Sequence, residues 1–66
     1  MSSLGEEYPK QQARCREVLE QYIEIGTAGN FGAMMIRAKL KEADEAAVSG
    51  DVARMIRAFE DMKEVQ

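Results

Sequence analysis

Apolar side chains return at helical spacing in three stretches of this chain. Cys15, Val18, Leu19 and Tyr22 stand at i, i+3, i+4 and i+7, a single stripe, and Ile23 and Ile25 widen it on opposite sides. Ile36, Leu40, Ala43 and Ala47 make a second face with Ala33 beside them, and Val52, Met55, Ile56, Phe59 and Met62 make a third. Glycine and proline set the boundaries. Pro9 suits the first turn of a helix, where its missing N–H would be unpaired in any case. Gly26 is a natural helix stop, and Thr27 or Asn30 can cap the next helix. Gly50 ends the second helix and Asp51 caps the third. The class expected is therefore all-α, with helices over about 8–25, 31–48 and 51–65. Residues 25–32 form a connector, 1–7 a flexible tail, and 8–66 a single helical domain. The tight turn at Ser49-Gly50-Asp51 predicts that the last two helices form an antiparallel hairpin.

The second helix carries one apolar face too many for a hairpin. Phe31, Met34, Met35 and Ala38 lie on a different side of its first two turns from Ile36 and Leu40, and two adjacent methionines cannot both face one neighbour. Chain length sharpens the point. A domain of 66 residues buries only about 60% of the surface its unfolded chain exposes, so its stability is marginal without help. A single cysteine permits no internal disulfide, and the absence of histidine leaves no set of side chains that reads as a zinc site. What remains is a partner, most simply a second copy. A monomeric three-helix bundle also satisfies the stripes, but we expect a homodimer with Phe31, Met34, Met35 and Ala38 as the candidate interface. The core expected within each chain is Val18, Leu19, Tyr22, Ile36, Leu40, Val52, Ile56 and Phe59.

Charge and candidate chemistry narrow the function. Without histidine, the side chain best suited to acid–base work at neutral pH is missing and no catalytic triad can be written, so no enzyme is expected. Cys15 sits in the middle of an apolar stripe, where a thiol is a small buried hydrophobe with a raised pKa rather than a nucleophile. Gly26, Gly29 and Gly32 lack the preceding strand and the following Lys-Ser or Lys-Thr of phosphate-binding loops. They read as a helix end and close backbone packing, with an anion at the first amides of the second helix as the other option. The clusters Glu6-Glu7, Glu42-Asp44-Glu45 and Glu60-Asp61-Glu64 have no calcium-loop spacing, so neither metal nor cofactor is expected. Arg16 with Glu20 and Arg57 with Asp61 are i, i+4 pairs on solvent faces. A net charge of −3 argues against nucleic acid. The alternative function is nonetheless a small nucleic-acid-binding regulator that uses Arg37, Lys41, Arg54 and Arg57. The first residues show no export signal and no stretch reaches 18 apolar residues, so a cytoplasmic, membrane-free protein is expected.

The segments from Arg14 to Tyr22, from Ile25 to Ala33 and from Ser49 to Asp51 resemble short uncharacterised proteins encoded by bacteriophages and prophages. That resemblance implies a bacterial cytoplasm and a small accessory role, and carries no known activity. The second and third helices also look like a tetratricopeptide hairpin, through the small residues before Gly50-Asp51 and the aromatic Phe59 after it. One hairpin does not make a solenoid, which needs about three repeats.

Overall fold

A computed structural model describes residues 3–66 and is helical almost throughout. The chain forms two helical bodies. The first is one long bent run whose arms are α1 (Leu4–Ile25) and α2 (Asn30–Ser49), joined through a single 3-10 turn at Gly26–Gly29. The second is α3 (Val52–Lys63). The expectation of three separate helices with a connector over 25–32 is corrected accordingly. Gly26 turns the chain at φ 85°, and Asn30 already belongs to α2 because the intervening residues keep helical hydrogen bonds, such as Asn30 N–H to the Thr27 carbonyl.

The first helix also starts earlier than Tyr8. Ser3 caps it, its Oγ accepting from the Glu6 amide at 3.3 Å while its carbonyl accepts from Glu6 and Glu7. Glu6 and Glu7 bring negative charge to the positive end of the helix dipole. Ser3-x-x-Glu6 is the spacing of a capping box, a signal that Pro9 obscured. Pro9 is tolerated inside α1 because the only carbonyl it leaves without a partner belongs to exposed Gly5. Of the expected flexible tail, only Met1 and Ser2 lie outside the described residues.

The bend folds α2 back along α1. Buried Tyr8 donates its hydroxyl to the Ala43 carbonyl at 2.7 Å near one end, and Gly32 meets the Tyr22 ring near the other. A Cβ on Gly32 would collide with that ring, and one on Gly29 with the Tyr22 carbonyl, so the close packing expected of these glycines is what closes the bend. Gly50, at φ 74°, ends α2 in the left-handed region, and the Asp51 side chain accepts from the Arg54 amide at 3.1 Å to start α3. Arg54 against Glu42 and Lys39 against Asp61 fix α2 and α3 as an antiparallel hairpin, as expected.

The core is built from Tyr8, Cys15, Ile36, Leu40, Ala43, Ala46, Ala58, Met62 and Val65. Val18, Leu19, Tyr22, Met55 and Phe59 pack half-buried against it. Two expectations move. Ala46, not Ala47, faces inward on α2. On α3 the inward line is half-buried Met55 with buried Ala58 and Met62, and Val52 and Ile56 stay 60% and 48% exposed. The small Ala58 takes a fully buried place in the core, and the bulkier Val52 and Ile56 lie on the outer edge of α3. Arg16 reaches across to Asp44 at 3.3 Å.

Candidate interaction surface

The outer face of α2 is where the expected interface lies. Phe31, Met34 and Met35 keep 70%, 56% and 45% of their surfaces accessible, and Ala38 is exposed beside them. They sit together because i, i+3, i+4 and i+7 share one side of a helix, and α1 and α3 occupy the opposite side through Ala33, Ile36, Leu40 and Ala43. Beyond Ala38 the same outer face continues into Lys41 and Glu45, so the apolar patch is confined to the first half of α2.

An open cleft of about 160 Å³ adjoins the patch. Its walls come from all parts of the fold: Tyr22 of α1, Gly32, Met35, Ile36 and Lys39 of α2, and Glu64, Val65 and Gln66 beyond α3. Met35 belongs to both patch and cleft. The far wall is positioned by side chains that grip the end of α3. Arg14 donates from Nη2 to the Met62 carbonyl at 2.6 Å and from Nη1 to the Val65 carbonyl at 2.8 Å. Tyr22 donates its hydroxyl to the Gln66 carbonyl at 2.8 Å, and Lys39 donates to the Asp61 carbonyl at 3.3 Å while lying 3.8 Å from Glu64. The Asp61 and Met62 carbonyls also accept the Glu64 and Val65 amides, so these donors add to a backbone turn that already closes α3, and two of the side chains bring positive charge to the negative end of the dipole. The apolar stripes gave no sign of this grip, because Arg14 and Lys39 lie beside them. The hydroxyl of Tyr22, inside a stripe yet needing a partner, is the one cue the residues held.

Cys15 is fully buried, and its Sγ donates to the Met62 carbonyl at 3.4 Å. Burial pushes the thiol pKa up, outweighing the downward pull of Arg14, Lys39 and Arg16. The reading of Cys15 as a small hydrophobe with a raised pKa agrees with this setting. Burial likewise raises the Tyr8 hydroxyl, with Asp44 and Glu42 adding to the effect. Among the described residues no three His, Cys, Asp or Glu side chains are grouped to hold a metal ion. No helix there is long and apolar enough to cross a membrane.

Of Arg37, Lys41, Arg54 and Arg57, the half-buried Arg54 is engaged by carboxylates and the other three are exposed. Arg54 spans the hairpin to Glu42 with a two-pronged contact at 2.7 and 2.8 Å, and reaches Glu45 at 3.4 Å. That fork holds the Glu42 carboxyl below its usual range and the guanidinium above its own. Arg37 and Lys41 lie one turn apart on α2 and are exposed. Compared with protein families, curated proteins and solved structures, the chain finds no significant match.

Proposed function

We propose that this chain is a non-enzymatic helical protein–protein interaction module that works as a homodimer, with Phe31, Met34, Met35 and Ala38 at its interface. The observation that carries the reading is the exposure of three large apolar side chains on one face of α2, whose opposite face is fully used inside the chain. The largest apolar patch of a small protein is often functional. With side chains on the order of 200 Å² each, the three exposed portions amount to roughly 300 Å² per copy. Two copies then cover roughly 600 Å², which at about 25 cal/mol per Å² is a gross gain of about 15 kcal/mol. Association itself costs about 4–15 kcal/mol. The balance describes a small and weak interface, one that forms and dissolves with concentration. By its resemblance to short phage and prophage proteins, such a module serves as an accessory factor in a bacterial cytoplasm.

Light scattering behind a sizing column, run with reductant over a hundredfold concentration range, tests the reading. A mass rising from 7.4 kDa toward twice that value is expected. A constant 7.4 kDa at the highest concentration removes the homodimer.

A further inference from the structure

We infer that residues 61–66, the last turn of α3 and the chain beyond it, form a strap that swings away as a unit while the rest of the helical packing stays closed, uncovering an apolar trough between α1 and α2. The way α3 is tied down is the first argument. Its first half is held to α2 and the core: Arg54 forks onto Glu42, and Ala58 is buried. From residue 61 onward the ties come from a different set of side chains. Arg14, Cys15 and Tyr22 of α1, joined by Lys39 of α2, all donate to carbonyls of residues 61, 62, 65 and 66. Opening breaks this second set and leaves the first intact. The backbone offers little resistance, because Lys63 is the last helical residue and only the Glu64 and Val65 amides turn back onto the Asp61 and Met62 carbonyls. Glu64 and Gln66 are exposed, so water can take over the hydrogen bonds of the released segment.

What the strap covers is the second argument. Met62 and Val65 are the two apolar side chains that it places in the core, and the Met62 carbonyl lies 3.4 Å from the fully buried Sγ of Cys15. Glu64, Val65 and Gln66 also make one wall of the open cleft. With the strap away, that wall is gone and the cleft runs on into the places vacated by Val65 and Met62. Tyr22, Ile36 and Lys39 remain as its other side, and Cys15 comes to light. Tyr8, Leu40, Ala43, Ala46 and Ala58 belong to the part of the core that the opening leaves in place. The fold thus has a closed form, in which Arg14, Tyr22 and Lys39 are satisfied by the chain's own carbonyls, and an open form, in which an apolar trough and those three donors face water.

The Cys15 thiol serves as the reporter in the test. The full chain is treated with iodoacetamide, a small uncharged alkylating agent, at a series of urea concentrations below the unfolding transition. The urea slope of an opening scales with the surface it exposes, so an opening confined to residues 61–66 gives an alkylation rate nearly flat in urea, against the steep rise that global unfolding demands. Arg14→Met and Val65→Ala are each expected to raise the rate without urea by about tenfold, with the far-ultraviolet circular dichroism unchanged. A parent rate that climbs with the full slope of global unfolding overturns the strap, whatever the variants do. A shallow slope that neither variant shifts overturns it as well, since the thiol is then reached by another route. Should a variant fail to fold, amide exchange of the parent decides: the Glu64 and Val65 amides must exchange through an opening as flat in urea as that of the thiol, and exchange at the global slope refutes the proposal.

Discussion

The first half of α2 has two apolar sides with opposite fates. Inward, Ala33, Ile36 and Leu40 are buried against α1 and α3, and small neighbours such as Ala43, Ala46 and Ala58 let the helices close around them. Outward, Phe31, Met34 and Met35 are larger than most of the buried set and touch little. The contrast teaches that stability here comes from close approach and well-placed polar ties, and not from burying the largest apolar side chains of α2.

The inner side breaks most severely. Leu40→Ala removes a buried leucine from a very small core and is expected to cost about 2–5 kcal/mol, lowering the thermal midpoint by more than about 10 °C or abolishing the transition. An unchanged midpoint would place Leu40 outside the core. Next comes the grip on α3. Arg14→Met keeps the stem but removes two charge-assisted hydrogen bonds, and a loss of about 1–3 kcal/mol is expected, with faster amide exchange confined at first to residues 60–66. Uniformly faster exchange would mean that the grip is not a local device.

The exposed fork between Arg54 and Glu42 is weaker and depends on pH. Glu42 has a lower pKa folded than unfolded, so its contribution is fully present above the ordinary glutamate value of about 4.5 and fades as pH falls through the depressed folded value. The stability gap between the parent and Glu42→Gln should therefore be constant near neutrality and close in acid. A gap that widens in acid would reverse the assignment. Smallest of all is the outer side: Met34→Ser should change the unfolding free energy of the dilute monomer by less than about 0.5 kcal/mol, because the side chain is exposed. A larger loss would show that the patch is already covered within the chain.

Much of this could be read from residues alone, for reasons that particular positions make plain. The all-α class, the Gly50-Asp51 turn and the buried place of Cys15 come from spacing and capping chemistry, which are local. The outer patch was legible too, since helical phase separates Met34 from Ile36 whatever the tertiary fold. The rest is set by approach between elements. Val52 and Ile56 share a stripe with Met55, and only the packing of the helices, which buries Ala58, decides which edge of that stripe turns outward. The choice of Ala46 over Ala47 is likewise one the helical phase alone leaves open. The cleft was invisible because its walls are separated by 44 residues between Tyr22 and Gln66, and periodicity says nothing about such distances.

The grip on the end of α3 also bears on the order in which the chain assembles. Its Arg14 and Tyr22 bonds join residues 44, 48 and 51 positions apart, so none of these can form until the bend and the hairpin have both brought their elements together. Local helices and the short hairpin turn carry no such requirement. Their sequence separation predicts that the Arg14 and Tyr22 bonds close late in folding and open early in unfolding. Substitutions at Arg14 or Tyr22 should hasten unfolding and leave the folding rate almost untouched, making this end of the molecule the governor of its lifetime rather than of its formation.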